Sequence, residues 1–283
     1  MSDVDDLLTT LAKDSKQDGA DFSGNNLKGI SMSSASFIYA TFMEANLSES
    51  ELRGINFTNA SMQQVSFKKA RLKNVIFSNA NLSEANFEEA TLIDCTFTNC
   101  SMENSEFMSA TFKNCDLRGA NCNYSNMYSA IMEKSNLSFS RLMYAYLKQL
   151  ELSECNMKGV NARGSDLSYS KLTNVELSGA ILKYADLNTC TFKDVKLNNA
   201  NLTGAELKDA HCSGIEGTET NFEGTDMTYA NFENSNLQNA FLLEANLHGA
   251  NFTNADLTDA YLVDANIAKA VTKGAKLDNT VLQ

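Results

Sequence analysis

Every fifth residue of this chain is large and apolar. Counting from Phe22 through Leu27, Met32, Phe37 and Phe42 to Leu277 and Leu282 gives 53 positions, and 48 of them are Leu, Phe, Met or Ile. The exceptions are Cys122, Ala162, Cys212, Gly217 and Thr272. The residue two places earlier is small: 27 of those 53 positions are Ala, and all but Asn25 and Leu150 are Ala, Ser, Thr, Cys, Val or Ile. The register never slips over 261 positions.

A period of five fits neither an α-helix nor a flat strand, whose side chains recur every 3.6 and 2.0 residues. It predicts a backbone that turns a corner every five residues, with one large and one small side chain pointing inward and three polar ones outward. Four such sides close a square coil of about 20 residues, and successive coils pair as parallel strands roughly 4.8 Å apart. About thirteen coils would make a rod on the order of 60 Å long. Large residues then stack on large and small on small, which fills the interior without gaps.

The recurring Ala-(Asn/Asp)-(Leu/Phe) triplet is seen in Ala45-Asn46-Leu47, Ala185-Asp186-Leu187, Ala245-Asn246-Leu247 and Ala255-Asp256-Leu257. It resembles the pentapeptide-repeat proteins, over residues 20–283. The resemblance implies an all-β fold, a right-handed quadrilateral parallel β-helix. Residues 1–19 lack the repeat and predict a short capping helix, with Ser2 or Asp3 as N-cap and Val4, Leu7, Leu8 and Leu11 on one face. The expected organisation is therefore a capping helix over 1–19 and a single uninterrupted β-helix over 20–283. An open solenoid end exposes core and unpaired backbone. With the repeat running to Leu282, a homodimer through the C-terminal coils is the expected way to cover that edge. Some gyrase-binding members of the family are thought to dimerise there.

Composition narrows the function. The chain has no Pro and no Trp, and a net charge of −12 that argues against nucleic acid as a direct ligand. A basic or DNA-binding protein remains open as a partner. Asp3, Asp5 and Asp6 stand where a secretory leader would be basic, and no segment approaches the ~20 apolar residues of a membrane span, so no membrane association and a cytoplasmic location are expected. Cys95, Cys100, Cys115, Cys155 and Cys190 fall on the small inward position, Cys122 and Cys212 on the large one, and all read as core filler. His211 and His248 lie on different sides. No metal site, cofactor site or catalytic constellation emerges, and a non-enzymatic binding protein is expected.

Charge placement carries more than its total. Residues 20–203 hold 18 acids and 17 bases. Residues 204–264 hold eleven acids against Lys208 alone. Ten of them (Glu206, Asp209, Glu216, Glu219, Glu223, Asp226, Glu244, Asp256, Asp259 and Asp264) fall on three contiguous sides, and Glu233 lies on the fourth. A net −10 over about three coils, roughly 15 Å of rod, matches the charge density of duplex DNA at one charge per ~1.7 Å. Residues 265–283 turn basic with Lys269, Lys273 and Lys276. An anionic surface imitating DNA is the functional reading, and a solvated face that keeps the rod soluble is the bland one. The resemblance favours the first: some members look like DNA rods and occupy the DNA-binding saddle of DNA gyrase or topoisomerase IV. The looped quinolone-resistance members carry insertions that this chain lacks.

A second surface competes. Tyr124, Tyr128, Phe139, Met143, Tyr144, Tyr146, Tyr169 and Tyr184 all take outward positions on neighbouring sides, an aromatic patch suited to a protein-interaction scaffold or a secretion-system or effector-associated solenoid. The opposing reading is an aromatic ladder that stacks coil on coil. Lys68 over Glu88, Lys69 between Glu49 and Glu89, and Lys113 over Glu133 predict cross-coil ion pairs. Cys212 and Gly217, consecutive weak centres, mark an expected bend.

Overall fold

The computed structural model describes residues 3–281; the alternative cap Ser2 and the terminal repeat residue Leu282 lie outside the described residues. The chain forms two compact units, Met1–Arg141 and Leu142–Gln283.

In the first unit, α1 (Asp3–Lys13) opens with Asp3, Asp5 and Asp6 in its first turn, where carboxylates favour the positive end of the helix dipole. The Asp3 carboxylate also accepts the backbone N–H of Asn26 at 2.8 Å, tying the helix to the first coils. Leu7 is buried, but Leu8 is 40% exposed, so the expected apolar face is narrower than Val4, Leu7, Leu8 and Leu11 together. Leu7 and Leu8 stand about 100° apart around the helix, so a narrow contact covers Leu7 and leaves Leu8 at the edge of the stripe.

Strands follow at intervals of 20 residues: β1 (Ser31–Ser33), β2 (Glu51–Arg53), β3 (Arg71–Lys73), β4 (Thr91–Ile93), β5 (Thr111–Lys113) and β6 (Ile131–Glu133). Each pairs in parallel with the next, and every residue faces the one 20 later. The other three sides carry single parallel bridges in the same register, such as Asp21↔Thr41, Asn26↔Asn46 and Ser36↔Asn56. The second unit repeats the scheme with β7 (Glu151–Ser153), β8 (Lys171–Thr173) and β9 (Thr191–Lys193), and continues by bridges alone, His211↔Asn231↔Asn251↔Val271. Both units are thus four-sided parallel β-solenoids.

Apart from the side that carries β1–β9, each five-residue side has the same division of labour. Phe37 points inward, and Ala40 N–H donates to Phe37 C=O at 3.1 Å while Tyr39 takes φ +58°. That is a type II turn, whose second central residue must enter the left-handed region. The corner therefore throws its side chain outward. The residue before the large centre is often Asn or Asp, for a separate reason. Its carboxamide or carboxylate accepts the N–H two residues on, as Asn46 Oδ1 does from Ser48 at 3.0 Å, closing an Asx turn. An Asn there also donates to its neighbour in the adjacent coil, as Asn46 Nδ2 does to Asn26 Oδ1 at 3.2 Å. The Ala-(Asn/Asp)-(Leu/Phe) triplet is the footprint of this corner.

Inside, like stacks on like. Phe37, Phe57, Phe77 and Phe97 form one column with ring centroids 4.9–5.4 Å apart, and Phe67, Phe87 and Phe107 another at 5.0–5.1 Å. All seven cysteines are buried and free. Burial pushes the Cys122 and Cys190 thiols up to about 12, so they stay neutral filler. Small polar residues survive in the core by donating to the carbonyl 23 positions back: Ser105 Oγ to Leu82 O at 2.8 Å, and Thr220 Oγ1 to Leu197 O at 2.7 Å.

At Cys212 and Gly217, where a bend is expected, the ladder keeps its register through His211↔Asn231 and Glu216↔Asn236, while the three-residue strands of this side give way to single bridges from His211 onward. Leu237 of the next coil leans into the space, its Cδ2 only 3.0 Å from where a Gly217 Cβ would stand. Ion pairs Lys68–Glu88 at 2.6 Å and Lys113–Glu133 at 3.2 Å form as expected. Lys69 reaches Glu89 at 3.6 Å, but Glu49 turns to Lys28 at 3.0 Å rather than to Lys69.

Ser50 and Ser140 are the exceptions among inward hydroxyls: both are buried, with no hydrogen-bond partner for the hydroxyl among the described residues. An unsatisfied buried hydroxyl costs about 1–3 kcal/mol. Ser50→Ala is therefore expected to raise stability by about 1 kcal/mol, and Ser105→Ala to lower it by a similar amount, in urea unfolding.

Candidate functional site

The acidic residues expected to act together all lie in the second unit, and the repeat sorts them into two kinds. Glu206, Glu216, Asp226 and Asp256 occupy the Asx position before a large centre. All four are engaged. Glu206 accepts from Asn188 Nδ2 at 2.8 Å, and Lys196 lies 3.6 Å from Glu216. Lys208 lies 3.3 Å from Asp226, and Lys276 2.9 Å from Asp256. Lys196 and Lys276 come from outside the 204–264 window, so the segment is less anionic than its own composition.

Asp256 shows how far this anchoring goes. Desolvation by itself would raise its pKa. Hydrogen bonds from Thr258 Oγ1 at 2.6 Å, Gln238 Nε2 at 2.9 Å and Lys276 Nζ at 2.9 Å outweigh that effect and hold the carboxyl well below the usual carboxylate range. Asp226 is likewise lowered: desolvation opposes, while Thr228 and Lys208 prevail. Asp186 goes the other way. It stacks between Asp166 and Glu206 in one column, and desolvation with these like charges raises its pKa.

The remaining six behave differently. Asp209, Glu219, Glu244, Asp259 and Asp264 sit on corners at φ +54° to +58°, and Glu223 just before one. Their carboxylates make no hydrogen bond or ion pair among the described residues. Glu223, Glu244 and Asp264 share the side centred on Phe222, Leu242 and Leu262; Glu219 and Asp259 share the side before it, and Asp209 the side after. Glu233 is half-buried on the fourth side. Three adjacent sides thus present unpartnered carboxylates at fixed positions.

The aromatic residues divide between the units: Tyr124, Tyr128 and Phe139 in the first, Met143, Tyr144, Tyr146, Tyr169 and Tyr184 in the second. Phe139 is 67% exposed. In the second unit several rings are engaged locally. Tyr184 lies over Gly204 of the next coil, so closely that a Cβ there would be 2.7 Å from the ring, and Tyr144 covers Gly164 in the same way. Lys148 sits 5.1 Å over Tyr169 and Arg163 5.4 Å over Tyr184. Phe241 stacks on Tyr261 at 5.3 Å. The 20-residue spacing from Tyr144 to Gly164 and from Tyr184 to Gly204 is the sequence signal of this stacking. His248 packs edge-on to Tyr229 at 5.7 Å. Among the described residues no three His, Cys, Asp or Glu side chains converge as metal ligands.

A four-sided parallel solenoid packed with columns of apolar side chains defines a class of repeat proteins. Family models for a pentapeptide repeat region match residues 105–182 and 170–242, and models for pentapeptide repeats match 18–54, 42–79, 80–119, 225–262 and 245–283. The chain belongs to the pentapeptide-repeat family. No curated protein sequence matches it. Among solved structures it is similar to QnrB1, a plasmid-mediated fluoroquinolone resistance protein, at 22% identity over 69% of this chain and 88% of that one, TM-score 0.44. It is also similar to HetL, involved in heterocyst differentiation regulation in the cyanobacterium Nostoc, at 23% identity over 97% and 96%, TM-score 0.22. A third is a pentapeptide repeat protein of the Arabidopsis thaliana thylakoid lumen, at 27% identity over 39% and 67%, TM-score 0.27.

The lowered pKa of Asp256 fixes a pH dependence. Its folded value lies below its unfolded one, so its contribution is present above the unfolded value, about 3.9, and is lost as pH falls through the folded value. Asp256→Ala should cost about 1–2 kcal/mol at pH 7 and progressively less below pH 4, read from denaturant midpoints across pH.

Proposed function

We propose that the second unit binds a basic, DNA-binding protein surface by presenting carboxylates in place of phosphates, with a type II topoisomerase, DNA gyrase or topoisomerase IV, as the partner. The observation that carries this reading is the group of six unpartnered carboxylates, Asp209, Glu219, Glu223, Glu244, Asp259 and Asp264, on three adjacent sides. The turn at each corner fixes where the side chain leaves the surface, and the ladder fixes the interval between coils at roughly 4.8 Å. Charges held in place before binding lose little entropy on association. The four anchored acids, Glu206, Glu216, Asp226 and Asp256, contribute to the same field with their carboxylates partly engaged by neighbouring donors and lysines. Association through such a surface weakens as salt rises.

In a supercoiling assay the purified protein is expected to perturb DNA gyrase at micromolar concentration. The triple variant Glu223→Lys, Glu244→Lys and Asp264→Lys should lose that effect while keeping its fold, since none of the three carboxylates holds the structure together. Tyr144→Ala, which alters the aromatic patch, should leave the effect intact. A wild-type protein without influence on supercoiling ends the proposal.

We further propose that a second copy covers the apolar end of this unit. Leu247, Phe252, Leu257, Leu262, Ile267 and Leu277 line a hollow of about 170 Å³ there, and Ile267 is 51% exposed. Light scattering should give a dimeric mass that Ile267→Asp converts to a monomeric one. A monomeric wild type at high concentration rejects the dimer.

A further inference from the structure

The first unit carries a charged groove that the acidic surface of the second unit leaves unexplained. It lies over β2, β3 and β4, in register Glu51↔Arg71↔Thr91 on one row and Arg53↔Lys73↔Ile93 on the other. The central residues Leu52, Leu72 and Leu92 point inward. Two rows of outward side chains therefore flank a strip of bare backbone, leaving a groove of about 410 Å³ lined by Glu51, Arg53, Arg71, Leu72, Lys73, Thr91 and Ile93. That volume falls within the range of small-molecule clefts, ~300–1,000 Å³.

Its charges do not balance. Three cationic side chains face one carboxylate, and Glu51 reaches only Arg53, at 3.9 Å. Arg71 and Lys73 have no carboxylate within 4.0 Å among the described residues, although Glu51 stands opposite Arg71 in register. Arg53 stands directly opposite Lys73 on the adjacent strand, an arrangement in which like charges destabilise a sheet. Five other cations of the unit are matched, Lys28 with Glu49, Lys68 with Glu88, Lys69 with Glu89, Lys113 with Glu133 and Arg118 with Asp116, all within 3.6 Å; Lys16 and Arg141, like Arg71 and Lys73, have no carboxylate within 4.0 Å among the described residues, but they do not adjoin one another. In a chain of net −12, this groove thus brings three cations together beside a single carboxylate.

We propose that this groove binds a phosphoryl group. A multiply charged oxyanion would relieve the Arg53–Lys73 repulsion, and guanidinium forks match its oxygens in pairs. Thr91 adds a hydroxyl donor at the end of the Arg71 row. Ile93, at the end of the other row, offers an apolar surface to the body of a phosphate ester. The same oxyanion chemistry is found in free inorganic phosphates and in organic phosphomonoesters, and the two sources differ at Ile93.

The test is a calorimetric titration of the full chain at low salt with pyrophosphate and, separately, with phenyl phosphate. Saturable one-site binding of at least one probe is expected, together with amide shifts confined to residues 51–53, 71–73 and 91–93 in NMR spectra. The double variant Arg71→Gln, Lys73→Gln should weaken binding at least tenfold, with an unchanged circular dichroism spectrum confirming its fold. Tighter binding of phenyl phosphate, lost in Ile93→Ser, assigns an ester; binding of pyrophosphate alone assigns an inorganic phosphate. Absence of saturable binding of both probes, or an affinity unchanged in the double variant, overturns the proposal.

Discussion

The constraint on which everything else depends is the 20-residue register of the parallel ladder. Because each residue bridges to the one a full coil later, every inward side chain stacks on another of its own column, and the interior closes by size matching. Stacked phenylalanines about 5 Å apart meet at nearly the spacing of paired strands, so ring contact and backbone hydrogen bonding reinforce one another. A substitution that kept chemistry but changed volume would be felt along the whole column. This is why Gly217 is filled by Leu237 of the next coil instead of leaving a void. The outward columns carry no such requirement.

That division explains what was legible in the sequence. The period of five, the four sides, the inward fate of all seven cysteines and the capping helix follow from positions alone. The acidic surface was legible as a cluster but not as two populations. Separating Asp226 and Asp256 from Asp259 and Asp264 requires knowing that the position before a large centre closes an Asx turn, whereas the corner position points its side chain at solvent. The contributions of Lys196 and Lys276 were hidden because composition was counted in a linear window, while the coil brings in residues 20 positions away. Glu49 pairing with Lys28 in place of Lys69 has the same origin: several partners are available at one coil's distance, and side-chain geometry selects among them.

The groove formed by Arg53, Arg71 and Lys73 was missed for a related reason. Over residues 20–203 acids and bases nearly cancel, so an average over that stretch is silent. The three residues are separated by spacings of 18 and 20, the separations a coil of 20 turns into contact. The first unit thus carries a cationic groove and the second an anionic surface, each on the same kind of size-matched interior. Exposed tyrosines, by contrast, belong partly to the scaffold, since Tyr184 and Tyr144 cover glycines in neighbouring coils.

In the proposed function the unpartnered carboxylates of the second unit stand in for DNA phosphates. Competition for DNA gyrase between this protein and a fluorescent DNA duplex, followed by anisotropy over a range of salt concentrations, tests it most directly. Displacement of the duplex, with an apparent affinity that falls steeply as salt rises, is the predicted result. Gyrase binding that leaves the duplex in place, or that is indifferent to salt, would contradict the account.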